Sequence, residues 1–170
     1  TMRLLAEDRK SKSLELLLTS PVTTTEIVMG KYLGAVGFLA ITLLCTGHYP
    51  LQLFLLGEPD PGVVASSYLA VLLLGSCFLA VGLTFSSVTE NQIVAAMLSF
   101  VVLLAFWILG WVEELASGTI QEVVSYASLI NRMEDMTKGL IHTKDLVFYL
   151  SFIAFWLFAT HQRVEAYRWR

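Results

Sequence analysis

The sequence predicts an all-α fold: a polytopic membrane protein with about four transmembrane helices. Apolar residues make up 56% of the chain and charged residues 15%, against roughly 45–50% and about 25% in soluble domains. The apolar residues also form long runs that are almost free of charge, and a helix needs about 20 such residues to cross a bilayer. These runs predict spans at residues 31–56, 63–85, 92–112 and 144–163.

The runs do not fit a soluble protein or a membrane barrel. Soluble helices of this length carry a polar face, whereas these runs are apolar on every face. Spanning β-strands would be about 10 residues long and would alternate in polarity. We therefore expect residues 1–170 to form one transmembrane domain with a short cytoplasmic helix and an outer amphipathic or re-entrant helical segment.

The charges predict the orientation of this domain. The connection 57–62 is acidic, with Glu58 and Asp60. Basic residues gather before the first span and after the last one: Arg3, Arg9, Lys10, Lys12, Lys31, Arg163, Arg168 and Arg170. Because basic segments stay on the cytoplasmic side, we expect both termini in the cytoplasm.

Residues 1–30 form a polar segment that contains a short predicted helix. Leu14, Leu17 and Leu18 share one face of it. Pro21 ends this helix, since proline cannot continue the backbone hydrogen bonds. Thr23 and Glu26 have the spacing of a capping box, so a second, long helix should begin there and enter the membrane near Lys31.

Small residues and a proline mark special positions in the first span. Gly30, Gly34 and Gly37 leave a strip that another helix can approach closely, either by ordinary packing or as a dimer face. Pro50 should kink the helix or mark its exit.

Residues 113–143 are too polar to span. Their apolar positions recur at spacings of three and four: Ile120, Val123, Ala127, Ile130, Met133, Thr137 and Leu140. This spacing predicts one or two amphipathic helices on or in the outer leaflet.

No catalytic, cofactor or metal motif is present in the sequence. It has no GxxxxGK[ST], HExxH, paired CxxC or GxSxG. His48, His142 and His161 lie on separate segments, and Cys45 and Cys77 have no metal-type spacing. We expect no metal, no cofactor, no enzymatic activity and no nucleic-acid partner.

Glu90, Asn91 and Gln92 form a polar cluster before the third span. Such a cluster can satisfy the free N–H groups of a helix start, or it can transmit movement from a cytosolic partner. The sequence leaves both interpretations open.

Residues 7–31 resemble the loop before the third span in permeases of type-2 ATP-binding-cassette (ABC) exporters. That family has a pattern close to E-(E/K)-(R/K)-x3-(T/S)-(I/L)-E-x-L-L-x2-P-(V/I)-(S/T)-x3-I-x2-G-K. The matching residues are Glu7, Arg9, Leu14, Glu15, Leu17, Leu18, Pro21, Val22, Ile27, Gly30 and Lys31. Lys12 stands where the family often has glycine. Residues 86–96 and 138–145 resemble the approaches to the family's fifth and sixth spans, and the closest subfamily is that of gliding-motility permeases.

The resemblance implies a permease subunit of a bacterial efflux system in the inner (plasma) membrane. A separate ATPase subunit would dock on a coupling helix through Leu14, Glu15, Leu17, Leu18 and Pro21, with Glu90, Asn91 and Gln92 as a possible transmission contact. A second permease copy, identical or not, and membrane lipid would be further partners. The family has six spans, so two N-terminal spans would be missing here. The transported substrate is not predicted. One alternative is a non-transporting membrane scaffold or assembly factor. An intramembrane enzyme is a further, less favoured alternative.

Overall fold

The computed structural model describes residues 23–115 and 128–168 of the chain. Within these ranges the chain is helical and contains no strand. The helices are α1 (Thr24–Cys45), α2 (His48–Leu56), α3 (Pro61–Val88), α4 (Gln92–Leu115), α5 (Leu129–Thr137) and α6 (Thr143–Arg168). The stretches long and apolar enough to cross a membrane are Thr24–Leu56, Pro61–Val88, Gln92–Gly110 and Thr143–Ala166. The predicted fold class, an all-α polytopic membrane protein, is therefore confirmed.

The predicted capping box at the start of α1 is confirmed. The backbone N–H of Thr23 donates to Oε2 of Glu26 over 2.8 Å, and the N–H of Glu26 donates to Oγ1 of Thr23 over 3.3 Å. Each side chain thus satisfies an N–H group that has no partner inside the helix. Because this cap fixes the first turn, α1 begins at Thr24 and extends well before Lys31.

The first span is interrupted one turn before Pro50. Proline has no N–H to donate to the carbonyl four residues back, which here belongs to Thr46. That carbonyl instead accepts from the N–H of Tyr49 over 3.0 Å and from the hydroxyl of Tyr68 over 3.1 Å. The helix resumes as α2 and continues to Leu56, so Pro50 breaks the span rather than marking its exit.

Helix α3 is the centre of the described bundle. In the most apolar 18-residue stretch of α3, 50% of the residues are buried inside the chain. The corresponding stretches of the other three candidate spans are 17%, 17% and 22% buried. It packs against α1, α4, α5 and α6. Its buried positions are mostly small, including Ser66, Ala70, Cys77 and Ala80, and small residues let neighbouring membrane helices approach closely.

Helices α3 and α6 run parallel and in register. The thiol of Cys77 lies 3.8 Å from the carbonyl oxygen of Tyr149, and one heptad further along both helices Oγ1 of Thr84 donates to the carbonyl of Trp156 over 3.0 Å. The hydroxyls of Thr84 and Thr160 are 2.8 Å apart. These bonds hold α6 in a fixed axial position against the central helix.

The bundle has two ends, named here after their connections. The Glu58 end comprises residues 57–60, helix α5 and the start of α6. Oγ of Ser67 in the second turn of α3 lies 3.5 Å from the carbonyl oxygen of Thr137 in α5, which places these elements together. The Glu90 end comprises Thr23, residues 89–91 and the last turns of α6.

The side of helix α5 that packs against the described chain is offset by one residue from the predicted apolar series, whose contact with lipid or protein stays a prediction. The spacing in the sequence placed Ile130, Met133 and Thr137 on the apolar face, yet all three are only half-buried and Leu140 is exposed. The fully buried residues are Leu129, Arg132 and Met136. The side chain of Arg132 is turned inward on this side, where it pairs with Asp145. The earlier members of the series, Ile120, Val123 and Ala127, lie outside the described residues.

The glycine strip of α1 does not mediate packing within the described part of the chain. A Cβ atom built on Gly30, Gly34 or Gly37 would meet no atom within 4 Å there. Helix α1 instead contacts the bundle through Val28 and Tyr32, both buried. The interpretation of the strip as a dimer face stays a prediction.

Candidate functional site

The predicted coupling residues precede the described part of the chain. Leu14, Glu15, Leu17, Leu18 and Pro21 all lie outside the described residues. What the structure does fix is the point where α1 begins, since Thr23 caps α1 at the Glu90 end. The segment that carries these residues therefore joins the bundle at the Glu90 end.

The polar cluster at residues 90–92 forms the start of α4. Oδ1 of Asn91 accepts from the N–H of Ile93 over 2.9 Å, and the N–H of Asn91 donates to Oγ1 of Thr89 over 3.1 Å. Asn91 is thus a helix cap, while the side chains of Glu90 and Gln92 are exposed. The capping interpretation fits Asn91, and a contact with a cytosolic partner stays a prediction for the cluster.

An apolar groove lies between α1 and α6 at the same end. It has a volume of about 340 Å³ and is lined by Thr25, Val28, Met29, Leu157, Phe158, His161 and Gln162. Nε2 of His161 lies 3.4 Å from Oε2 of Glu165, one turn further along α6. The groove combines apolar walls with three polar side chains, and nothing in the sequence pattern had indicated it.

The Glu58 end contains a buried ion pair that the sequence analysis did not predict. Nη1 of Arg132 in α5 donates to Oδ1 of Asp145 in α6 over 2.5 Å. The two residues are only 8% and 1% exposed. The guanidinium carbon also lies 4.2 Å from the centroid of the Phe148 ring, a cation–π contact.

The position of Asp145 helps to explain why a charge is tolerated there. It lies in the first turn of α6, where the helix dipole stabilises a negative side chain. Burying two charges costs several kcal/mol per ion, and this cost is offset only by close pairing and further hydrogen bonds. The pair is therefore specific for this geometry rather than a loose surface contact.

Neighbouring groups fix α5 from both of its ends. The hydroxyl of Tyr149 donates to the carbonyl of Leu129 over 2.7 Å, and Ser67 lies against the last carbonyl of the helix. On the exposed face, Nζ of Lys138 lies 2.8 Å from Oε1 of Glu134. The hydrogen bond from the Lys138 ammonium lowers the pKa of Glu134 below its ordinary value, as expected of a solvated pair.

A different signal in the sequence could have revealed the ion pair. Leu129, Met133 and Met136 in α5 are also spaced by four and three residues, so they form a second apolar series along the helix. That register places Arg132 on the same buried face, and a charge on such a face requires an opposite partner. Asp145, an acidic residue in the first turn of the following span, was one candidate.

The described residues offer no cluster of metal-ligating side chains. Within the described ranges no three His, Cys, Asp or Glu residues lie close enough to hold an ion. Nδ1 of His48 lies 3.1 Å from the carbonyl oxygen of Cys45, a local contact within the interrupted span. Cys45 is exposed and Cys77 is buried, both as free thiols.

The fold and these contacts define a helical membrane protein without a recognisable reaction centre in its described part. A family model described as ABC-2 family transporter protein matches residues 1–154, which is most of the 170-residue chain. The chain belongs to this family. Its members are membrane components of transport systems and are not themselves catalytic. Searches of the curated proteins and of the solved structures found no match.

Proposed function

We propose that this chain is the permease subunit of an ABC exporter, forms part of the translocation path and takes its energy from a separate ATPase subunit. The observation that carries the proposal is the family match over residues 1–154. The four candidate spans found in the described residues supply the membrane-crossing part that this role requires.

The need for a partner ATPase follows from the sequence. The chain has no GxxxxGK[ST] loop to hold the phosphates of a nucleotide. The apolar face of Leu14, Leu17 and Leu18 lies in a segment rich in charged and hydroxyl residues, and apolar surfaces in such settings mark contact sites. We place the ATPase at the Glu90 end, because α1 begins there directly after this segment.

The finer features of the proposal follow the resemblance of residues 7–31. They are a bacterial inner membrane, export of the substrate, a second permease copy, and a place near the gliding-motility permeases. Membrane lipid is a partner on physical grounds, since α1 and α4 expose large apolar side chains such as Leu33, Phe38 and Ile93. Large exposed apolar surfaces of spanning helices require lipid or protein contact.

Association with an ATPase tests the proposal. Purification of the tagged protein from its own membrane in a mild detergent should yield a second protein that contains a GxxxxGK[ST] motif and hydrolyses ATP. A stoichiometric ATPase supports the permease. Purification without any ATPase, in several detergents that keep the protein monodisperse, would favour the scaffold interpretation.

Our orientation predicts which residues water-soluble reagents reach in intact cells. We propose that the Glu90 end and both termini face the cytoplasm, since the basic residues gather there. A membrane-impermeant maleimide should label Glu58→Cys in intact cells and Arg170→Cys only after the cells are opened, with Cys45 replaced by Ser in both. Labelling of Arg170→Cys in intact cells would contradict this orientation.

A further inference from the structure

We propose that Arg132 and Asp145 form an ionic latch that holds α5 over the Glu58 end of the bundle, and that its release opens this end to water. The inference rests on the contact between the buried charge of Arg132 in the short helix α5 and that of Asp145 in the span α6. That the pair holds α5 in place does not depend on the proposed function. That its release opens a transport path does depend on it.

The pair is the charged connection between α5 and the spans within the described residues. Two further connections are hydrogen bonds between neutral groups, from Tyr149 to the carbonyl of Leu129 and from Ser67 to the carbonyl of Thr137. Neutral hydrogen bonds between membrane helices are individually weak. Removing one partner of a buried ion pair is far more damaging, because it leaves the other charge uncompensated.

The carboxylate of Asp145 depends strongly on Arg132. Its Oδ1 faces the guanidinium, whereas its Oδ2 is buried and has no hydrogen-bond partner among the described residues. A carboxylate with one oxygen unsatisfied is less stable in its buried site than a fully bonded one. Beside the apolar packing of Leu129 and Met136, this ion pair is a charged contact whose loss leaves a buried carboxylate without a partner, which is the property that a releasable latch needs.

The register of α3 and α6 identifies what α5 covers. Cys77 lies opposite Tyr149, so the first residue of α6, Thr143, lies level with Val71. Ser66 is located beyond that point toward the Glu58 end and is nonetheless only 3% exposed. The neighbouring residues Ser67 and Val63 contact Thr137 and Gly139. Helix α5 and the residues after it thus pack against this part of α3.

Cysteine accessibility tests the latch directly. The test protein carries Cys45→Ser, to remove the exposed thiol, and Ser66→Cys as the reporter. It is placed in lipid nanodiscs, where both ends are accessible, and treated with a charged maleimide. We expect Arg132→Gln and Asp145→Asn each to raise the labelling rate at position 66 by about tenfold or more, since each breaks the buried ion pair and Arg132→Gln also leaves the Asp145 carboxylate without its counter-charge.

Two controls separate the latch from general loosening. Glu134→Gln removes the exposed ion pair on the other face of the same helix and should leave labelling at position 66 unchanged. The native thiol of Cys77 is fully buried deeper in the bundle and should stay unlabelled in every variant. Where Arg132→Gln does not accumulate, Arg132→Lys replaces it and should give a smaller increase, because the charge is kept but the planar group over Phe148 is lost.

Three outcomes would overturn the inference. They are unchanged labelling at position 66 in the Arg132 and Asp145 variants, an equal increase in Glu134→Gln, or a parallel increase at Cys77 that shows general loosening. Labelling requires neither ATP nor a transported substrate, so a chain that proves to be a scaffold can still possess the latch. Conversely, the protein could prove to be an ATP-driven permease while position 66 stays unlabelled in the Arg132 and Asp145 variants. The proposed function would then stand and the latch would be rejected.

Discussion

Replacing Leu17 with Asp should disconnect the protein from ATP hydrolysis without preventing its insertion into the membrane. Leu17 lies on the apolar face of the short helix predicted before Pro21. A charge in an apolar contact costs several kcal/mol unless it is paired. No span is altered, so the variant should reach the membrane at normal levels. It should lose the co-purifying ATPase, or hydrolyse ATP without transport.

A matched control places the same charge on the opposite face of that helix. In the predicted helix Leu16 points away from Leu14, Leu17 and Leu18, since successive residues of a helix are about 100° apart. Leu16→Asp should therefore retain ATPase association close to that of the parent protein. An inserted Leu17→Asp protein with normal ATPase association and normal transport would show that this helix is not the coupling element.

Replacing Ala80 with Leu should strongly destabilise the bundle. Ala80 is fully buried in α3, between Cys77 and Thr84, whose bonds to α6 hold the two helices close together. Extra methylene groups in a packed interior typically cost about 1–3 kcal/mol, and here they would also separate Thr84 from Trp156. We expect a lower midpoint of thermal unfolding and a smaller monodisperse fraction in detergent.

Val71→Leu provides the control for this change. Val71 is on the same helix but 36% exposed, so an added methylene group there faces lipid or detergent and should have little effect. Equal losses of stability in Ala80→Leu and Val71→Leu would contradict the parallel packing of α3 and α6 as the structural centre of the bundle.

The sequence was informative wherever a local pattern decides the structure. Long uncharged runs predict membrane helices because only helices and closed β-barrels satisfy the backbone hydrogen bonds in lipid, and barrel strands are shorter and alternate in polarity. The capping box of Thr23 and Glu26 is equally local, since both partners lie within one helical turn. These features depend on neighbours in the chain and not on the packing of distant segments.

Features that depend on distant segments were not predictable in the same way. The side of α5 that packs on the bundle was not predictable from its spacing, because the partner of Arg132 lies in another helix. The glycine strip of α1 pointed to close packing, yet the close approach between α1 and α3 is at Gly75, whose added Cβ would lie 2.6 Å from Leu39. Small residues indicate where another helix can approach closely. Which group of small residues makes such a contact depends on how the helices pack in the fold.

A photo-crosslinking residue at position 17 tests the central claim most directly. It would be introduced into the protein in its own membrane, with the same residue at Leu56, which is 89% exposed at the Glu58 end, as the control. On irradiation, position 17 should become covalently joined to a protein that contains a GxxxxGK[ST] motif, and Leu56 should not. Crosslinks from position 17 only to lipid or to the protein's own spans would contradict the coupling of this permease to an ATPase through its N-terminal segment.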